Sequence, residues 1–171
     1  MIMNMKKLKK GQWGFTLVEL VIVVALAGLV GAAITATAFQ VFTFSTRLSN
    51  QMTAVRQVQQ AGFWVSPDVM MAKTVNATGG SGFPLILTWQ EAGTNTTHTV
   101  TYNLTYMSGG LTRLQREHKI GTSLNSTTIV AEYISSASFV QYGDAYTFNV
   151  TATVGGQTEA RTYEVKPRVG T

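Results

Sequence analysis

The chain has 171 residues, room for one globular domain, and is 45% hydrophobic but only 12% charged. It has no cysteine, which excludes a disulfide framework, thiol catalysis and a cysteine-ligated metal. The formal charge of +5 does not signal a nucleic-acid surface, because Lys6, Lys7, Lys9 and Lys10 all precede an apolar stretch; without these four, the 13 basic residues fall to nine against eight acidic ones, a net of +1.

Residues 1–14, MIMNMKKLKKGQWG, are short and basic and end in Gly14. From Phe15 to Phe44 the chain is almost continuously apolar, with Glu19 as its one charge. That stretch exceeds the ~20 residues a helix needs to cross a bilayer. It is also too long for the core of a secretory signal peptide, and it carries an acid near its start. The lysines before it place the N-terminus in the cytoplasm and the rest of the chain outside it.

Beyond the membrane the helix is expected to continue over 45–73 as an exposed extension. Leu48, Met52, Val55 and Phe63 recur at near-helical spacing, with Arg47, Asn50, Arg56, Gln57, Gln59 and Gln60 on the other faces. Ser66-Pro67-Asp68 reads as an N-cap, a first-turn proline and a first-turn acid, and so as a break before a short second helix ending near Lys73. One continuous helix with a proline kink is the alternative. Residues 74–82 form a linker, rich in Gly, Ser and Thr from Asn76 to Gly82.

An antiparallel β domain follows over 83–171. The expected strands are Phe83–Gln90, Thr97–Met107, Leu111–His118, Thr127–Tyr133, Phe139–Tyr142, Ala145–Val154 and Gln157–Lys166. Ser108-Gly109-Gly110 and Gly155-Gly156 are turns, since glycine supplies the positive φ that hairpins need. A two-residue loop at Gly155-Gly156 pairs Val154 with Gln157, Phe148 with Tyr163 and Tyr146 with Val165. Large apolar residues then meet on one face, while Asn149 faces Thr162 and Thr151 faces Ala160 on the other. The match weakens where Val150 opposes Arg161. One face of the sheet is expected to cover the exposed part of the helix, with Trp64 and Trp89 packed between them.

The run KKGQWGFTLVELVIVVALAGLV, residues 9–30 with Lys10 beside Lys9, resembles the leader and first helix of the type IV pilin family, including its secretion and competence pseudopilins. The resemblance implies an α+β type IV pilin-like fold, a long N-terminal transmembrane helix packed on a C-terminal antiparallel β-sheet. It implies that a prepilin peptidase removes residues 1–14 by cutting between Gly14 and Phe15, and that Phe15 is N-methylated. Glu19 becomes the acid at mature position five, which in that family pairs with the N-terminal amine of a neighbouring subunit. A carboxylate at membrane depth costs on the order of 2.5–3.5 kcal/mol, so such a residue is retained for a reason. Cleavage creates the amine that offsets it. The small residues Ala25, Ala27, Gly28, Gly31, Ala32 and Ala33 permit close helix approach in a filament core, although ordinary membrane helices carry such residues too.

VRQVQQAGFWVSPDVMMA, residues 55–72, resembles the helix end of minor pilins of the secretion J and pilus W type. So do a strand with Leu114 and Arg116 and a late strand ending near Val165-Lys166-Pro167-Arg168. The resemblance implies a minor subunit acting with other pilins, below any tip subunit that lacks the position-five acid. The chain departs from major relatives in lacking a cysteine pair and an acidic calcium cluster: Asp68, Glu91, Glu117, Glu132, Asp144, Glu159 and Glu164 are scattered.

His98 and His118 lack a third metal ligand at usable spacing and read as solvated strand residues, so no metal and no cofactor is implied. Arg113, Arg116, His118 and Lys119 form the one basic cluster outside the leader. It offers contacts to nucleic-acid phosphates, but a solvated strand end is the simpler reading. Five Asn-X-Ser/Thr triplets, at Asn76, Asn95, Asn103, Asn125 and Asn149, are explained by a Thr- and Asn-rich β composition. No nucleophile–base pair or phosphate loop stands out, and no enzymatic activity is expected. Two further readings remain open: a pilus subunit whose β domain binds DNA or a surface, and a monomeric β domain tethered to the membrane.

Overall fold

A computed structural model describes residues 14–168. The leader lysines and Trp13 lie outside the described residues. Contacts divide the chain into two units, one ending at Phe44 and one beginning at Ser45. Helix α1, Leu17–Met71, contributes to both.

In the first unit every residue of α1 is exposed. Three hydroxyl groups of this apolar stretch are satisfied within the helix itself. The hydroxyls of Thr35, Thr37 and Thr43 each donate 2.9 Å bonds to the carbonyl four residues back, at Gly31, Ala33 and Phe39. Threonine therefore costs little here, even where no water is present to accept the bond.

The second unit is a seven-stranded antiparallel meander in strand order β1 to β7, with the C-terminal part of α1 against one face. Its strands are β1 Thr74–Ala77, β2 Leu85–Gln90, β3 Thr97–Tyr106, β4 Thr112–Ile120, β5 Ser123–Tyr142, β6 Ala145–Val154 and β7 Gln157–Val165. Every connection joins sheet neighbours, as short loops allow. The β6–β7 register is the one expected, including Phe148 opposite Tyr163 and Val150 opposite Arg161. Gly155 and Gly156 have φ of 53° and 80°, as a two-residue hairpin of the primed type requires.

Four expectations need correction. The proline does not break the helix: α1 runs through Pro67 to Met71. Val65, Asp68 and Val69 are buried on both sides of it, so tertiary packing offsets the lost hydrogen bond. The carbonyl that Pro67 leaves free is that of Phe63, a residue 73% exposed. Secondly, Thr74–Ala77 is not linker but the edge strand β1, paired with β2 from Thr74 opposite Thr88 to Ala77 opposite Leu85.

Thirdly, the expected strands Thr127–Tyr133 and Phe139–Tyr142 are parts of one long strand. β5 pairs with β4 up to Ile134 and with β6 from Ile134 onward, with irregular register on both sides of that point. Tyr133 has φ of 58° there. A bulge of this kind bends a strand and raises its twist, so β5 turns the sheet around the helix rather than ending.

The fourth correction concerns which face of the helix is buried. Leu48, Met52 and Phe63 are exposed, while Ala54, Val58, Ala61, Gly62, Val65 and Val69 are buried. The curled sheet presents large side chains, Tyr102, Phe148 and Tyr163 among them, and small helix residues let it close in. A Cβ on Gly62 would lie 2.1 Å from Cζ of Tyr163. The Tyr163 hydroxyl passes this point to donate a 3.0 Å bond to the Val58 carbonyl. Each large side chain buried in this way contributes about 1.5–3 kcal/mol.

Candidate functional site: the processing segment and the buried ion pair

Gly14 and Phe15 precede α1 and are not helical. Thr16 is the N-cap. Its Oγ1 accepts the backbone N–H of Glu19 at 3.2 Å, and its carbonyl accepts that of Leu20 at 3.1 Å. Thr16-Leu17-Val18-Glu19 has the spacing of a capping box, in which a Thr at the cap and a Glu three residues on serve the free N–H groups of the first turn. A threonine cap is worth about 1 kcal/mol over an apolar residue. A first-turn acid gains a further ~0.3–1 kcal/mol from the helix dipole. Glu19 thus has a local role that the sequence reading missed, although the T-x-x-E spacing signals it. The same geometry keeps the Gly14–Phe15 bond outside the helix.

Gly28 and Gly31 lie on the apolar surface with nothing within 4 Å of an added Cβ. No contact made by the described residues requires glycine at either place.

The second unit holds a buried polar cluster that the sequence reading did not assemble. Arg116 of β4 donates to Asp68 of α1 through Nε at 2.7 Å and through a terminal nitrogen at 3.1 Å. The Tyr102 hydroxyl of β3 donates to the same carboxylate at 2.5 Å. Trp64, one turn before Asp68, lies under the guanidinium with its ring centre 5.3 Å from Cζ. Asp68 and Arg116 are both buried. Burial lowers the pKa of Arg116, but the hydrogen bonds and charge of Asp68 outweigh it and raise the value overall. Burial first, then the Asp68 charge, push Tyr102 far above its ordinary value. The arrangement holds one carboxylate, one guanidinium and one neutral phenol, all mutually satisfied. It ties helix to sheet and presents no free nucleophile.

This placement corrects the basic cluster. Arg116 faces the helix, not solvent, because the alternation of β4 puts it on the same face as buried Leu114. Arg113 points to the other face and is half-buried. Its Nε and the Thr105 Oγ1 directly opposite are buried without hydrogen-bond partners. Lys119 alone of the four is exposed.

The histidines are not solvated strand residues either. His98 Nδ1 and His118 Nε2 lie 3.1 Å apart, and both rings pack beside Trp89. Burial, then the Arg116 charge, then His98, lower the pKa of His118. Among the described residues no group of three potential metal ligands converges.

Residues 9–35 match the family described as the prokaryotic N-terminal methylation motif. Neither curated proteins nor solved structures give a match. The matched segment holds Gly14, Phe15, Thr16, Glu19 and the small residues up to Ala33. It implies processing by a prepilin peptidase and assembly with other pilin subunits in the membrane, and it indicates a structural subunit, not an enzyme. Helix α1 is long and apolar enough to cross a membrane, which supports anchoring there. A methylation motif on a long apolar helix, followed in the same chain by a curled antiparallel sheet, supports a type IV pilin-like protein.

Proposed function

We propose that this chain is a minor pilin or pseudopilin, cut between Gly14 and Phe15, N-methylated on Phe15 and built into a filament through Glu19. The observation that carries the reading is the coincidence, inside the matched motif, of a non-helical Gly14–Phe15 bond and a helix that starts two residues later with Glu19 in its first turn. Cleavage leaves an ammonium group at Phe15, close to a helix N-terminus that already repels positive charge. A carboxylate from a neighbouring subunit offsets that ammonium group only when the two helices share one register, which makes Glu19 a register element. Gly28 and Gly31, which no contact among the described residues requires, then serve close approach between subunits.

The leader lysines support an orientation with the sheet outside the cytoplasm. Direct binding of nucleic acid is less favoured than in the sequence reading, because Arg116 is committed to Asp68. The middle region's likeness to secretion J and pilus W type subunits supports a minor role.

The test is the intact mass of the protein recovered from membranes with and without a co-expressed prepilin peptidase. Loss of residues 1–14 with one added methyl group is the expected result. An unchanged mass beside an active peptidase rejects the proposal in favour of a tethered β domain.

A further inference from the structure

Trp89, His98 and His118 come from three adjacent strands, β2, β3 and β4, on the face that also carries buried Leu87, Val100 and Leu114. The indole of Trp89 and the ring of His98 are parallel within 4°, their centres 5.4 Å apart. The two imidazoles relate differently. Their planes are 21° apart and their centres 5.3 Å apart, yet the facing nitrogens are only 3.1 Å apart. Rings with that combination meet nearly edge to edge, as an N–H···N hydrogen bond demands, rather than face to face. Each nitrogen is thus committed to the other, and the bridge needs one proton between them.

The outer nitrogen of His98, Nε2, lies 4.0 Å from the Glu91 carboxylate. Glu91 opens the loop 91–96 between β2 and β3. Its backbone N–H donates to the Thr96 carbonyl at 2.9 Å, and its side chain accepts from Thr94 at 2.8 Å. The loop forms one wall of an open cleft of about 750 Å³, whose lining includes Met71, Lys73, Trp89, Glu91 and Asn95. Among the described residues, the charged groups that bear on the imidazole pair are Glu91 from the loop, Arg116 from β4 and Asp68 from α1. Asp68 is already committed to Arg116.

We propose that His98 and His118 form a proton latch that ties loop 91–96 to the sheet when the pair carries one added proton and frees it when the pair carries two. With one added proton, His98 is a cation that faces Glu91 on one side and donates to neutral His118 on the other, a charge-assisted bond. With two, both facing nitrogens are donors, the bridge is lost, and two cations stand beside a third at Arg116. The two cations then repel, His98 is driven off the position from which it faces Glu91, and the loop loses that contact. The latch thus sets the shape of the cleft by pH, independently of processing at Gly14.

Since the chain has only two histidines, ring-labelled NMR of the full protein in detergent micelles reads the latch directly. The expected result is a coupled titration in which both rings respond to each of two steps more than about one pH unit apart. Protection of the 91–96 amides, taken relative to the intrinsic exchange rate at each pH, should rise at the first step and fall at the second. Glu91→Gln should move the first step to lower pH. Two independent single-step curves overturn the bridge, and loop protection indifferent to the second step overturns the latch. The wild-type titration decides the question even if the variant fails to fold.

Discussion

Asp68 and Arg116, 48 positions apart in the chain, make a two-pronged ion pair between α1 and β4 at 2.7 and 3.1 Å. Neither is free to leave its partner in water, because both are buried. Removing one partner strands the other charge, at a cost of about 3–5 kcal/mol, whereas replacing both with apolar residues of similar size is often close to neutral. Arg116→Met and Asp68→Leu should therefore each unfold the sheet at clearly lower temperature in detergent. The double variant should be more stable than either, as read by near-UV circular dichroism. Additive losses would show that the two side chains act separately.

At Gly62 the sheet packs directly on the helix. An added methyl would overlap the ring of Tyr163, which cannot swing away without breaking its bond to the Val58 carbonyl. Gly62→Ala, normally a favourable change in a helix, should destabilise the second unit by about 1–3 kcal/mol. Adding Tyr163→Leu should recover part of that loss. A thermal melt of the two variants checks both statements.

Alkaline stability reports on Tyr102. Burial and the neighbouring Asp68 raise its pKa above the ordinary 10.0, so the folded chain keeps the phenol proton when the unfolded chain has begun to lose it. Its contribution is fully present below about pH 10 and falls away as the pH rises further. Denaturant titrations between pH 8 and 11 should show that decline, and Tyr102→Phe should flatten it. Tyr163 is raised by burial as well, so a shallower slope will remain. An unchanged slope in Tyr102→Phe would place the effect elsewhere.

Thr16 and Glu19 allow local and intermolecular roles to be separated. Glu19→Gln keeps the residue type of a capping box but removes the charge. Thr16→Val removes the cap, at a cost of about 1 kcal/mol to the helix start. If the charge registers subunits, Glu19→Gln and Glu19→Ala should fail equally to enter filaments while both are still cut at Gly14. Thr16→Val should assemble better than either. Normal incorporation of Glu19→Gln would mean that capping is the whole of its role. Immunoblots of sheared filaments and of membranes measure the two outcomes.

Much of this architecture is legible in the residue order because it depends on local rules. The apolar run from Phe15 to Phe44 reports its length, Gly155-Gly156 reports a hairpin, and period-two alternation reports the register that follows it. The motif around Gly14 is a contiguous string and needs no fold to be read. The face of α1 that meets the sheet was misread because amphipathic reasoning looks for large apolar residues. Here the sheet supplies the bulk, and the helix answers with Ala54, Ala61 and Gly62.

The sequence by itself determined the apolar helix, the position of its one acid and the register of the β6–β7 hairpin, since all three follow from spacing along the chain. Only the tertiary structure decided that Pro67 lies inside a helix, that β5 bends rather than stops, and that Arg116 and the two histidines turn inward. Those outcomes depend on residues tens of positions apart meeting in a dry interior. There, a buried carboxylate such as Asp68 must find a partner, and no neighbour in sequence could supply it.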